Sequence, residues 1–248
     1  MPYLMAGDPG IDETRSFMLA LAGAGADAIE LGSPFSDPVA EGETIQRANV
    51  RALASGTDLG RVFELADSVR GALGIPLLLM LYANPVLNYG YERFFRRCAQ
   101  AGVGGVIMPD MPFEEQGEVL PFASACGVDV ISLIAPTSAG RAAKIAKAAR
   151  GYIYLVSSMG VTGMRREITA DLSGIVGTIR ENTAIPIAAG FGVHTPEQAK
   201  ALARGADGVI VGSAIVDIIE RFGASSAPRL AEYAASIRAA LDEPRNAD

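Results

Sequence analysis

Residues 184–213 read AIPIAAGFGVHTPEQAKALARGADGVIVGS. A short apolar run ends in glycine, a helical stretch follows, and a small-residue turn leads into the next apolar run. Thr195-Pro196-Glu197 has the residue types that open a helix, and Gly205 the type that closes one. The same theme occurs upstream in AGAGADAIELG (22–32), GIPLLLMLY (74–82), AGVGGVIMPD (101–110), CGVDVISLIA (126–135) and ARGYIYLVSS (149–158). With PYLMAGDP (2–9) at the front, eight candidate strands result. Fully apolar strands alternating with helices belong to a parallel sheet, and eight such repeats close into a (β/α)8 barrel of the α/β class. An open doubly wound sheet would carry a GxGxxG turn after its first strand, and Ala6-Gly7-Asp8-Pro9 is not that turn. Neither a linker nor a low-complexity segment interrupts the chain, so residues 1–248 are expected to form one barrel domain.

Composition excludes several function classes. A formal charge of -7 with a pI near 4.9, and no cluster of Lys or Arg, argues against binding nucleic acid. No apolar run reaches membrane-spanning length and no signal peptide opens the chain. Cys98 and Cys126 lack CxxC spacing, which favours a reducing, cytoplasmic setting.

Two connections depart from the regular spacing: SPFSDPVAEGE (33–43) after the second strand and SSMGVTGMRRE (157–167) after the sixth. Long loops at the C-terminal ends of barrel strands are where this fold keeps its chemistry. Glycines also gather there, as Gly160-Val161-Thr162-Gly163, Gly190-Phe191-Gly192 and Gly212-Ser213. Glycine lets backbone N–H groups approach an anion, and Ser213 stands where a helix N-terminus would favour negative charge. One such loop reads equally as a tight turn; three after neighbouring strands indicate a phosphorylated ligand.

Glu30 lies inside an apolar strand. Alternation sets it on one face with Ala28 and Gly32, and Ile29 with Leu31 on the other, so Glu30 is expected to point into the barrel. Burial there would raise its pKa into the range useful for acid–base catalysis; a structural ion pair is the competing reading. Glu41, in the long loop, is a second carboxylate that by itself reads as a solvated charge. Asp110 reads as a helix cap or interface residue, and His194 as a surface residue. Tyr152 and Tyr154 share a face, one suited to the core and one to a pocket. Lys144, Lys147 and Lys200 all fall in helical stretches, so no Schiff-base nucleophile stands at a strand end. A lone histidine disfavours a metal site. Carbon–carbon cleavage by this chain would need carboxylate catalysis, with the substrate as its own electron sink.

PYLMAGDP, IELGSPFSDPVAEG, LMLYANP, MPDMPFEE, SSMGVTG, AAGFGV and ADGVIVGSAIV together resemble the tryptophan synthase α subunit family along nearly the whole chain. The resemblance implies a (β/α)8 barrel that cleaves indole-3-glycerol phosphate to indole and glyceraldehyde 3-phosphate with no cofactor of its own. It also implies an α2β2 complex in which only the β subunit uses pyridoxal phosphate. Carried onto this sequence, Glu30 is the strand-two acid–base carboxylate and Glu41 the loop carboxylate facing the indole N–H. Tyr154 lies near the substrate, and Thr162 bonds the loop carboxylate on closure. Gly163, Gly192, Gly212 and Ser213 hold the phosphate. Asp37, Pro38 and Pro112 fall in loops that face the β subunit. Two departures accompany the resemblance. Glu41 is one methylene longer than the aspartate most common there, and relatives carry a helix ahead of strand one. Without such a helix the bottom of the barrel is expected to expose apolar surface. Two other readings follow from these features: a catalytically weak activator of a β subunit, and a phosphate-binding barrel that isomerises or epimerises sugar phosphates.

Overall fold

Ile29 and Leu31 are fully buried against the outer helices, while Ala28 and Glu30 turn to the opposite face, as the alternation predicts. The same division runs around the molecule. In the computed structural model, which describes residues 1–156, 172–190 and 192–243 (the side chains of 137 and 139 excepted), the strands are all parallel. They are β1 (Tyr3–Met5), β2 (Ile29–Gly32), β3 (Leu77–Met80), β4 (Val103–Ile107), β5 (Asp129–Val130), β6 (Ser132–Ile134), β7 (Ile153–Val156), β8 (Ile187–Gly190) and β9 (Gly208–Ile210).

Ladders run in the order β1-β2-β3-β4-β5 and β6-β7-β8-β9. The first seam is a single interrupted strand: β5 and β6 flank Ile131, whose N–H donates to Val106 O at 2.9 Å. At the second seam Pro2 bridges Val211; Tyr3 N–H donates to Val211 O at 2.8 Å, and Val211 N–H to Met1 O at 2.9 Å. These contacts join the two sheets into the eight-stranded barrel expected from the repeats.

Two apolar layers follow from the two faces of each strand. Inward-facing Ala28, Leu78, Ile107, Ile131, Tyr152, Tyr154, Ala188 and Ile210 pack together inside the barrel. Their outward neighbours, among them Leu79, Val106, Ile153, Leu155, Ile187 and Val209, pack with helical Phe17, Phe63, Phe94 and Ile219. At the N-terminal ends of the strands a cavity of about 1540 Å³, counted to its open mouth, reaches Ala28, Leu78, Ile131 and Tyr152.

One polar network ties the turn after β1 to two of the outer helices. The turn after β1 buries Asp8, and Arg51 of the helix Glu43–Ala54 grips its carboxylate with Nε at 2.7 Å and Nη2 at 2.8 Å. Arg51 Nη1 also reaches Glu220 Oε1 at 2.9 Å, and Arg47 pairs with both Glu220 oxygens at 2.7 Å. Glu220 belongs to the helix Ser213–Phe222, so the network joins that helix to the helix Glu43–Ala54 and to the turn after β1.

Candidate active site

Above the inner layer, at the C-terminal ends of the strands, the barrel opens into a cavity of about 690 Å³ counted to its mouth. Both glutamates singled out from the sequence line it, with Tyr154, Gly192, Gly212 and Ser213. Tyr3, Ile45, Met80, Leu133 and Ile210 supply further wall, and no lysine or histidine is among the described lining residues. An apolar chamber with a few convergent polar groups is the usual form of a small-molecule site.

Glu30 is fully buried. Its Oε1 accepts a hydrogen bond from the Tyr152 hydroxyl at 2.7 Å, whereas Oε2 is buried with no hydrogen-bond partner. Burial pushes the carboxyl up to about 7, against the smaller opposing effects of the Tyr152 hydrogen bond and the N-terminal ammonium. No ion pair holds Glu30, so the structural alternative is not what the geometry shows among the described residues. Tyr152 and Tyr154 divide as anticipated: the first braces Glu30 from below and the second lines the cavity.

Glu41 is not the free loop charge that its sequence context implies. Tyr82, just past β3, donates its hydroxyl to Glu41 Oε2 and accepts the backbone N–H groups of Val39 and Ala40, each at 2.9 Å. The Tyr82 ring packs on Phe35 with centroids 5.2 Å apart. One phenol thereby fixes three successive residues of the loop. Burial raises the pKa of Glu41; the Tyr82 hydrogen bond opposes that rise. Removing the hydroxyl strands two N–H groups and frees the carboxylate. Tyr82→Phe is therefore expected to lower kcat/KM about tenfold while costing only about 1 kcal/mol of stability, since the loop groups can turn to water. Steady-state kinetics beside a thermal melt checks the split.

The anion-binding candidates assemble from two strand ends. Gly192 lies beyond β8 with φ of 83°, a left-handed geometry that suits glycine, and Gly212-Ser213 opens the helix Ser213–Phe222 beyond β9. That N-terminus and Gly192 line the same cavity as the two carboxylates. Thr162 and Gly163 lie outside the described residues.

Asp37 and Pro112 are exposed and Pro38 is half-buried, beside Val39 at 75% exposure. Asp110 acts as a cap: both its oxygens accept the Ala83 N–H, at 3.0 and 3.1 Å, where the helix Ala83–Tyr89 begins. His194 differs from expectation. It is half-buried beneath Tyr233, whose hydroxyl donates to His194 O at 3.1 Å, and its Nε2 is enclosed without a partner. Its neighbour Val193, not His194, lines the cavity. Tyr3 and Tyr82 are the site residues that sequence reading passed over. Among the described residues no group of three or more His, Cys, Asp or Glu side chains is placed to hold a metal, and no helix is long and apolar enough to cross a membrane.

Comparison with known proteins bears on the same geometry. The family model described as tryptophan synthase alpha chain matches residues 1–243. The tryptophan synthase alpha chain of Lactiplantibacillus plantarum is 49% identical over 241 residues, covering 97% of this chain and 91% of that protein. A solved structure of Mycobacterium tuberculosis tryptophan synthase superposes with a TM-score of 0.88 at 36% identity, over 97% of this chain and 91% of that one. A structure of the α2β2 tryptophan synthase complex of Pyrococcus furiosus gives a TM-score of 0.85 at 34% identity, over 96% of each chain. With a matching family model along almost its full length and a barrel that superposes on solved members, the chain belongs to the tryptophan synthase alpha chain family.

Proposed function

We propose that this chain cleaves indole-3-glycerol phosphate to indole and glyceraldehyde 3-phosphate, using Glu30 and Glu41 and no cofactor of its own. Family membership makes it a carbon–carbon lyase of tryptophan biosynthesis. The observation that carries the residue-level reading is the state of Glu30: one oxygen braced by Tyr152, the other buried and unpartnered in the cavity wall.

A carboxyl with pKa near 7 is available both as acid and as base at neutral pH. Protonated Glu30 delivers its proton to C3 of the indole ring, leaving positive charge spread toward the ring nitrogen. The carboxylate so formed takes the proton of the hydroxyl on the carbon attached to C3. The bond between that carbon and C3 then breaks, its electron pair returning to the ring, while the departing carbon becomes an aldehyde. Glu30 ends the cycle protonated, and neither metal nor Schiff base is called on. Glu41, held by Tyr82 in the wall of the same cavity, is the counter-charge for the indole N–H when the ring is cationic. The phosphate goes to Gly192, Gly212 and Ser213, where backbone N–H groups and the helix dipole replace basic side chains. Thr162 and Gly163 complete this proposal from outside the described residues.

Exposed Asp37 and Pro112, with half-buried Pro38, form the proposed contact with a β subunit; the Pyrococcus furiosus relative is an α2β2 complex. The loop carrying Asp37 and Pro38 runs directly into Glu41, so docking there would bear on the catalytic carboxylate. Free Cys98 and Cys126 support a cytoplasmic setting. The test is indole release from indole-3-glycerol phosphate by the purified chain, alone and with a tryptophan synthase β subunit. Cleavage by the chain alone, rising severalfold with the β subunit, is expected. Stimulation of the β subunit with no cleavage under either condition would show an activator and overturn the reading.

A further inference from the structure

Two tyrosines sit in the barrel wall in the same local geometry. Tyr154 of β7 lies two residues before the position paired with Gly190 of β8, and a Cβ added at Gly190 would fall 2.7 Å from the Tyr154 hydroxyl. Tyr3 of β1 lies two residues before the position paired with Gly32 of β2, and a Cβ at Gly32 would fall 2.2 Å from the Tyr3 hydroxyl. In each case the ring leans across the next strand into space that only glycine leaves open. The family resemblance carries a substrate role to Tyr154 and none to Tyr3.

Tyr3 is the better placed of the two with respect to the carboxylates. It pairs directly with Glu30 across the β1-β2 ladder, and its hydroxyl rests over the strand end that leads into the Glu41 loop. Its Cβ and ring edge pass 3.7 to 3.9 Å from where a side chain on Gly212 would begin, so the residue spans from the phosphate turn to the carboxylates. The side chain lines the cavity and is 5% exposed, and no described residue hydrogen-bonds its hydroxyl. A phenol that shares a cavity wall with two carboxylates and has no hydrogen-bond partner among the described residues is placed to bond a ligand.

We propose that the Tyr3 hydroxyl is a substrate-contacting residue that donates a hydrogen bond to a hydroxyl oxygen of the three-carbon chain between the indole ring and the phosphate. The inference rests on the lyase reading above and names how the polyol part of that substrate is recognised. Geometry restricts the choice of target. The indole ring nitrogen is assigned to Glu41 and the phosphate to the glycine turns, and Tyr3 lies between those two ends. Burial, with Glu41 and Glu30 nearby, holds the phenol well above its ordinary pKa, so it remains a proton donor through the neutral range. A donor there fixes the chain so that the hydroxyl on the carbon joined to C3 faces Glu30, and it stabilises the oxygen as its proton leaves.

Tyr3→Phe keeps the ring and removes only the donor. The test compares wild type and Tyr3→Phe on two molecules: indole-3-glycerol phosphate, and an analogue in which a plain propyl chain joins indole to phosphate. The expected result is a loss of about tenfold in kcat/KM on the substrate, with affinity for the hydroxyl-free analogue within about twofold of wild type. Equal kcat/KM for the two proteins would overturn the proposal. So would a matching loss of affinity for the analogue, which would mark Tyr3 as packing only. A wild-type chain that binds the analogue but never releases indole from the substrate would overturn the lyase reading itself and this inference with it.

Discussion

Glu30→Gln is expected to abolish indole formation and, at the same time, to make the protein more stable at alkaline pH. Removing a positioned acid–base group costs about 10²–10⁴ in rate, and in the proposed cycle the same group serves in both proton transfers, which points to the upper part of that range. Stability moves the other way because of linkage. The carboxyl of Glu30 goes from an ordinary 4.5 to about 7 in the folded protein, so the folded state binds more protons than the unfolded chain between those values. Stability therefore falls as pH rises through that window and stays lowered above it. The cost at pH 8 is about 3 kcal/mol, an upper figure for a fully buried group. Glutamine keeps an oxygen for the Tyr152 hydroxyl and carries no charge, so it escapes most of that cost, less the penalty of a buried unpaired amide N–H. Denaturant unfolding at pH 5 and pH 8 reads the effect directly. Wild type should lose stability across that interval, and the variant should lose less. Identical pH slopes for the two proteins would mean that Glu30 is not the carboxyl that titrates near 7. Near-normal turnover by the variant would remove it from the mechanism.

Arg51→Met is expected to be the most damaging single change outside the hydrophobic core. Asp8 is 1% exposed, and the guanidinium of Arg51 supplies both of its side-chain hydrogen bonds. Methionine preserves the apolar stem and leaves a carboxylate buried without a partner, a situation that typically costs about 3–5 kcal/mol. For a chain of this size that corresponds to roughly a 10 °C drop in Tm. Asp8→Asn combined with Arg51→Met should recover a large part of the loss, because the stranded charge is then gone. Thermal unfolding of the two variants and wild type decides it: a drop in Tm of under 2 °C for Arg51→Met would show that Asp8 finds other solvation. Activity should suffer beyond stability, since Arg51 and Arg47 also hold Glu220 and with it the helix whose first residues are the proposed anion site.

The legible and illegible parts of the site separate along one physical line. Glu30 was legible because strand geometry has a period of two: Ile29 and Leu31 must pack on helices, so the residue between them must face inward. Ser213 at a helix start was legible for similarly local reasons, whereas Asp110 caps a helix 27 residues earlier in the chain, a partner that only the neighbouring strand ends supply. Glu41 was legible only as a charge in a loop. Its fixed position depends on Tyr82, 41 residues further along, which meets the loop because β2 and β3 are neighbours in the barrel. Tyr152 bracing Glu30 is a contact across 122 residues, and nothing in YIYLV states which tyrosine turns to which end of the barrel. Tyr3 was hidden more deeply, since its hydroxyl has a place only because Gly32 on the next strand leaves room.

What the amino-acid order determined by itself was the repeat, the barrel that the repeat implies, the glycine-rich ends of the last strands and the inward face of Glu30. Each of these follows from periodicity and backbone freedom, which act over a few residues. What only the tertiary structure decided was the electrostatic state of the carboxylates and the identity of the groups that hold them. The carboxyl of Glu30 rises to about 7 because a closed barrel strips its water away and offers one phenol in return. Desolvation is a property of everything packed around a side chain, and that packing exists only when strands from the whole length of the chain have closed into a ring.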